Sequence, residues 1–171
     1  FYNSLDADPA KRGKQFERFV KWFLKADPEW SNQVDQVWLW DEWPERWGAD
    51  CGIDLVILHK NGENWAVQAK CYAPNYDITK HDVDKFLSES NRPLIKHRLL
   101  IAATDRIGAN AKQVCDAQEK PVVRFLLSDW IAARNVELIA VDSPLKALEI
   151  LKDGMEEVAV VVSDLHMPEM K

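Results

Sequence analysis

The strongest constraint on the fold is an Asn61-Gly62 dipeptide that separates two apolar runs, IDLVILH and NWAVQAKCY. Asn-Gly suits the centre of a tight turn, because both residues adopt the positive φ angles that such a turn requires. The β-branched and aromatic residues on either side favour an extended backbone. The stretch therefore predicts a β-hairpin, and the fold must contain at least this antiparallel strand pair.

Helical and extended patterns alternate on both sides of the hairpin. Phe16, Val20 and Phe23 recur at helical spacing and predict an amphipathic helix over residues 13–26, ended by Pro28. The other predicted elements are a strand over 33–43, a helix over 79–90 capped by Thr79, a strand over 97–104, a helix over 108–118, a strand over 121–127 and a short helix capped by Ser128. This order predicts an α/β fold in which helices flank a mixed sheet.

The net charge of −6 is unevenly distributed along the 171 residues. Residues 1–134 are nearly neutral, at −1, and include the basic run KRGK, whereas residues 135–171 carry −5. A basic face that binds nucleic acid is therefore compatible with the first segment. We divide the chain at this point into domains of residues 1–134 and 135–171.

No apolar run approaches the length of a membrane span, and the N-terminal residues lack the apolar core of a secretory signal. The three cysteines are widely spaced without a CxxC pair, and Cys51 and Cys71 do not have zinc-site spacing with His59. These features predict reduced thiols and a cytoplasmic location.

An acid, an amide and a lysine fall near one end of the predicted hairpin. If the strands pair about the turn, the numbers of paired residues sum to about 123, so Asp54 faces Ala69 with Gln68 and Lys70 as diagonal neighbours. Mg²⁺ prefers oxygen ligands, which Asp54, Gln68 and the backbone carbonyl of Ala69 supply for phosphodiester hydrolysis. Lys70 would orient the attacking water. The alternative is an ordinary half-buried hairpin, because an acid and a lysine at strand ends are common.

Glu17 is a fourth candidate for this site. Its helical neighbours Val20 and Leu24 lie on the apolar stripe, so its carboxylate is expected to point toward the sheet. It would bind a metal through water or hold Lys70. The alternative is a boundary residue that pairs with Lys14 or Lys21.

At these residues the chain resembles a known family. GIDLVI followed by WAVQAKCY is similar to the Mrr-like branch of the PD-(D/E)XK nucleases. In that branch glutamine often takes the place of the second acid, which gives a QxK motif. The preceding helix GKQFERFVKWFL and the order of elements also match, over about residues 12–131. The resemblance implies Mg²⁺-dependent cleavage of double-stranded DNA by Asp54, Gln68 and Lys70, with Mn²⁺ as an expected substitute.

The flanking stretches resemble more narrowly the nuclease region at the N-terminus of type ISP restriction-modification enzymes. That resemblance implies helicase and methyltransferase parts as partners in a larger enzyme. Because a double-strand cut needs two active sites, it also implies either a homodimer on cleavage or two independent nicks.

Four basic or titratable residues are candidates for DNA binding. Lys80 and His81 begin a predicted helix, whose N-terminus would meet a phosphate; a solvated first helical turn is the equal alternative. Arg46 lies in the loop PERWGADCG beside the candidate site, and Lys14 belongs to the basic run. The tryptophans within residues 38–47 favour packing over base stacking.

The acidic tail has a pattern of its own. Residues 136–170 predict a βαβ unit and resemble a fragment of a two-component receiver domain, in which Asp164 would be the phosphoacceptor. The first strand with its acidic pair and the later strands with their hydroxyl residue and lysine are absent, so Asp164 is not expected to be phosphorylated usefully.

We therefore expect a metal-dependent DNA endonuclease domain that works within a restriction system. Two alternatives remain. One is a DNA-binding or assembly module that does not cleave on its own. The other is a signalling chimera in which the receiver fragment controls the nuclease.

Overall fold

Five strands and five helices form the described part of the chain, which comprises residue 2, residues 5–49 and residues 52–132 of a computed structural model. Their bounds are α1 (Pro9–Ala26), α2 (Pro28–Ser31), β1 (Val34–Leu39), β2 (Leu55–His59), β3 (Asn64–Lys70), α3 (Lys80–Glu89), β4 (Ile95–Ala102), α4 (Ala109–Asp116), β5 (Val122–Phe125) and α5 (Leu127–Ala132).

The five strands form one mixed sheet in the order β1-β2-β3-β4-β5. The pairs β1–β2 and β2–β3 are antiparallel, while β3–β4 and β4–β5 are parallel. The predicted α/β fold with helices around a mixed sheet is thereby confirmed. The predicted βαβ unit, the boundary at residue 135 and Asp164 lie outside the described residues.

Two apolar layers cover the sheet. One face packs against α1 and α5, with Phe16, Val20 and Leu24 buried at its centre. The other face packs against α3 and α4, where Val83 and Phe86 are fully buried. Strand β4 contributes to both layers, which confirms that its apolar run is covered on both sides.

The predicted hairpin is confirmed, with a register that differs by one from the expected pairing. Gly62 has φ +85° in the turn, and its N–H donates to the carbonyl of His59 at 2.8 Å. Leu55 pairs with Val67, and the other pairs of β2 and β3 continue this register. The regular pairing therefore ends at Leu55 and does not include the predicted pair of Asp54 with Ala69.

Side-chain hydrogen bonds set two of the element boundaries that differ from the predictions, and a third difference concerns a predicted cap. Helix α1 begins four residues early, at Pro9, since the Asp8 carboxylate accepts the N–H of Lys11. Strand β1 ends at Leu39, whose N–H is taken by Glu42, and a 3₁₀ turn follows. Helix α5 begins at Leu127, so Ser128 lies inside it and is not the cap.

Neither a helix long and apolar enough to cross a membrane nor a disulfide occurs among the described residues. Cys71 and Cys115 carry free thiols, as predicted. Cys51 lies outside the described residues.

Candidate active site

The candidate residues meet at the edge of the sheet where β2 begins and β3 ends. Asp54 directly precedes β2, while Gln68 and Lys70 are among the last residues of β3. The antiparallel pairing of these strands brings the start of one beside the end of the other. Long-range strand pairing therefore joins residues that are fourteen or more positions apart.

The backbone of Asp54 is held on both sides. Its N–H donates to the carbonyl of Val67 at 2.9 Å, and its carbonyl accepts the N–H of Trp40 at 2.9 Å. Because Leu55 is the residue paired with Val67, Asp54 is an extra residue at that position, as in a β-bulge. Bulges re-aim side chains, and here the Asp54 carboxylate turns to accept the backbone N–H of Ala69 at 2.7 Å.

Burial raises the pKa of the Asp54 carboxyl from 3.8 to about 7. The Ala69 hydrogen bond opposes this rise, the Glu17 charge adds to it, and the Lys70 and Lys14 charges oppose it. The carboxyl therefore changes charge near neutral pH, where a positive charge at the site would hold it ionised.

Gln68 presents an oxygen atom that has no partner. Its side chain is almost fully buried, and Nε2 donates to the carbonyl of Gly52 at 3.2 Å. This bond fixes the amide orientation, because the reverse would set two oxygens against each other. Oε1 is then buried without a hydrogen bond among the described residues. A buried orphan acceptor is costly, and a ligand that uses the atom is one explanation for it.

Gly52, which the sequence analysis did not select, positions this amide. Its φ of +64° favours glycine, and an added Cβ would lie 3.1 Å from Cγ of Lys85. The glycine in the sequence GADCGID is the signal that a special backbone conformation follows the loop. Its carbonyl thereby directs Gln68 Oε1 away from the loop.

The carbonyl of Ala69 faces the same side as Asp54. The N–H and carbonyl of one strand residue point in the same direction, and the Ala69 N–H reaches Asp54. The neighbouring Lys70 carbonyl points the other way and accepts the N–H of Ala103 at 3.0 Å. A backbone carbonyl oxygen therefore lies on the same side of β3 as the Asp54 carboxylate.

The ammonium of Lys70 lies 5.9 Å from the centroid of the Tyr72 ring. Tyr72, also not selected from the sequence, is itself anchored, since its hydroxyl donates to Asp82 at 2.7 Å. No carboxylate of the described residues forms an ion pair with Lys70. Its ammonium is therefore available to a ligand.

Glu17 is buried on α1, with 9% of its surface exposed. Its carboxylate accepts a hydrogen bond from Lys14 at 2.8 Å, which raises the pKa of Lys14. Its charge also contributes to the raised pKa of Asp54. Glu17 therefore pairs with Lys14, as the alternative held, while it also adds negative charge to the site.

The available donors are hard oxygens, the type that Mg²⁺ and Mn²⁺ prefer. They come from one carboxylate, one amide and one backbone carbonyl, with a second carboxylate nearby. No group of three or more His, Cys, Asp and Glu side chains in the described ranges could hold a metal. The fit to a divalent cation therefore rests on mixed oxygen donors with little negative charge.

The DNA-binding candidates are less closely joined to these residues. Lys80 forms an ion pair with Asp84 at 2.6 Å, and His81 is exposed beside it. The N-terminus of α3 already has a carboxylate acceptor, since Asp82 takes the N–H of Thr79 at 2.8 Å. Arg46 is exposed on its loop.

The tryptophans of this loop pack together, as predicted. Ring centroids of Trp40, Trp43 and Trp47 lie within 5.7 Å of one another, and Trp40 and Trp43 are buried. Trp47 also donates to Glu89 at 3.1 Å. The cluster anchors the loop on α3 and leaves little ring surface for stacking bases.

Comparison with protein families supports the nuclease resemblance. Residues 25–141 match the family Mrr_cat_2, described as restriction endonuclease. The match includes Asp54, Gln68 and Lys70 and begins after Glu17. The comparison with curated proteins found no match.

The chain is similar to several solved structures, of which the first has a TM-score above 0.5 and shares the fold. The DNA-bound ATP-dependent type ISP restriction-modification enzyme LlaBIII has a TM-score of 0.60 and 24% identity, over 83% of this chain and 10% of that chain. MspJI restriction endonuclease in complex with a 27-mer oligonucleotide has a TM-score of 0.46 and 17% identity, over 69% and 26% of the two chains. The modification-dependent restriction endonuclease AspBHI has a TM-score of 0.39 and 16% identity, over 76% and 36%. The chain thus spans about a tenth of the length of LlaBIII.

Proposed function

The chain belongs to the Mrr-type restriction endonuclease family, and on that premise we propose that it is a metal-dependent nuclease domain that hydrolyses DNA phosphodiester bonds. The observation that carries this proposal is the buried, unpartnered Oε1 of Gln68 beside the ionisable carboxyl of Asp54. Buried polar atoms are usually hydrogen-bonded, so a ligand at this oxygen would be favoured. A divalent cation would satisfy it and hold Asp54 in its charged form.

Asp54, Gln68 and the Ala69 carbonyl would hold Mg²⁺ or Mn²⁺, with Glu17 acting through water or through Lys14. When bound, the metal would supply positive charge for the scissile phosphate and acidify a water molecule. Lys70 places its ammonium beside Asp54, where it orients water and offsets negative charge that develops on the phosphate. Tyr72 limits the positions open to this ammonium.

The test is cleavage of supercoiled plasmid DNA with Mg²⁺ or Mn²⁺. We expect nicking or linearisation by the native chain, and a loss of about a hundredfold or more in Asp54→Asn and Lys70→Met. Matched controls that change the same charges elsewhere, Asp77→Asn and Lys96→Met, should cut as the native chain does. EDTA should stop all cleavage. Equal cleavage by all variants would show that this site does not cut DNA.

A DNA-binding or assembly module that does not cleave alone is the second candidate. The small number of carboxylates favours it, because low site charge predicts weak metal affinity. Duplex binding without cleavage, at metal concentrations that saturate the site, would support it. Helicase and methyltransferase parts of a larger restriction enzyme would then supply the ATP-driven movement and the target recognition that cleavage needs. In either case DNA is the molecule bound, and we expect a cytoplasmic location.

The ratio of nicked to linear plasmid would test the dimer on cleavage. Linear product formed directly, with a rate that rises more steeply than protein concentration, indicates two sites acting together. Nicked circles that convert slowly to linear product indicate independent nicks. The signalling chimera is tested by labelling with acetyl phosphate, which should leave no label that depends on Asp164.

A further inference from the structure

Helix α1 carries a concentration of positive charge that the candidate site does not account for. Its eighteen residues include six basic side chains and one acid, Glu17. The whole chain has a net charge of −6, so this excess is local. The one acid faces inward, where it pairs with Lys14. The outer surface of α1 is therefore basic throughout its length.

The outward cations are arranged in a line. Lys11, Arg18 and Lys25 are seven residues apart, and positions seven apart nearly coincide around a helix. All three are exposed, and they lie opposite the buried stripe that contains Phe16 and Val20. The line is about 21 Å long, which corresponds to about six base pairs of duplex at 3.4 Å each.

One of these three charges acts within the protein without direct pairing, since Lys25 helps to lower the pKa of the Glu42 carboxyl. Among the described residues none of Lys11, Arg18 and Lys25 forms an ion pair. By contrast, Lys21, which lies between Arg18 and Lys25 on α1, forms an ion pair with Glu42. Solvated helix faces usually mix charges of both signs, which stabilises the helix through pairs three or four residues apart. Unpaired cations in a line cost the fold repulsion without such compensation.

An aromatic side chain lies among the cations. Trp22 is 53% exposed, and it lines one shallow surface depression together with Arg18, Lys21 and Lys25. An exposed tryptophan costs free energy in water and offers apolar contact to a sugar surface. Cations beside a flat apolar ring suit a ligand with anionic groups and less polar rings between them.

We infer that the outer face of α1, defined by Lys11, Arg18, Trp22 and Lys25, binds the phosphate backbone of duplex DNA. The inference rests on the proposed function, since it supplies a second contact for the same substrate class. Charge complementarity selects the occupant, because repeated phosphates match a line of unpaired cations. Contacts to the backbone position DNA without reading its sequence. Lys14 connects this face to the candidate site through Glu17.

The test is fluorescence anisotropy with a short labelled duplex, in an Asp54→Asn background that prevents cutting. The variant Arg18→Gln/Lys25→Gln is compared with Lys96→Gln/Lys112→Gln, which removes the same charge from exposed positions on other elements. Loss of two phosphate contacts should lower the slope of log affinity against log salt by about 1.8. A fourfold rise in salt should therefore weaken the native affinity about tenfold more than that of the α1 variant.

Each outcome supports or overturns the inference. A reduced slope in the α1 variant alone supports it. An unchanged slope overturns it, and so does an equal change in the control. It is also overturned if the protein with α1 unsubstituted does not bind the duplex. If plasmid is not cut but the α1 variant still loses affinity, the nuclease proposal fails and this inference stands. If plasmid is cut and the α1 variant binds as before, only this inference fails. Circular dichroism checks that both variants fold.

Discussion

Replacing Asp54 by asparagine should stabilise the metal-free protein at neutral pH and above. The pKa of the carboxyl rises from 3.8 to about 7 on folding, chiefly because it is buried. The folded state therefore binds this proton more tightly than the unfolded state does. Stability must then fall as pH rises from about 4 to about 7, and the full penalty of about 4 kcal/mol applies above that range.

Asparagine removes this penalty and keeps the shape and the acceptor for the Ala69 N–H. Urea unfolding in EDTA measures the effect as the difference in free energy of unfolding between Asp54→Asn and the native chain. We expect this difference to increase by about 3 kcal/mol between pH 5 and pH 8. Asp77→Asn is the control, because its carboxyl is exposed and paired with Arg106, which lowers its pKa.

Metal should reduce the difference in stability between the native chain and Asp54→Asn. At pH 8 a cation at a hundred times its Kd adds about 2.7 kcal/mol to the native chain and nothing to a variant that cannot bind it. The reasoning is refuted if Asp54→Asn is no more stable than the native chain at pH 8 in EDTA. It is refuted equally if the difference between them does not change with pH.

Three further substitutions test neighbouring parts of the structure. Gln68→Glu should tighten Mn²⁺ binding in calorimetry while lowering stability in EDTA, because it adds a buried charge near an existing acid. Gly52→Ala should weaken metal binding and also cost about 1 kcal/mol of backbone strain. Gly62→Ala is the control, because Gly62 also has positive φ but an added Cβ there meets open space, so this change should cost only the strain. Arg98→Met should lower the free energy of unfolding by about 3 kcal/mol or more, since four hydrogen bonds of a fully buried guanidinium are lost.

Local sequence patterns predicted the elements of this fold well, because each depends on near neighbours. The Asn61-Gly62 turn and the apolar runs on either side suffice to specify the hairpin. The register differed by one because three residues, 60–62, stand between His59 and Glu63, whereas the prediction placed only Asn61 and Gly62 in the turn. The start of α1 was missed since the cap at Asp8 lies outside the apolar stripe.

The candidate site was predictable in composition but not in geometry. Asp54, Gln68 and Lys70 could be selected from the hairpin and the family resemblance. The unpartnered oxygen of Gln68 depends on the carbonyl of Gly52, which comes from a loop sixteen residues earlier in the chain. The anchoring of Lys70 beside Tyr72 depends likewise on α3. Such contacts depend on the assembled sheet, and no local periodicity encodes them.

Under the proposed function, the charges around the site would make the binding of metal and the binding of DNA depend on each other. Asp54 and Glu17 are acids that repel a phosphate, so DNA alone approaches the edge of the sheet against their charge. A bound cation removes that repulsion, and a phosphate in turn offsets the repulsion between the cation and Lys70. If bound metal raises the affinity for DNA by some factor, bound DNA must raise the affinity for metal by the same factor. The basic face of α1 lies on the opposite side of that helix from its buried stripe, so it can attract DNA before the metal is in place. Under the two proposals, binding to α1 and coupling at the site would be separate contributions to the affinity for DNA.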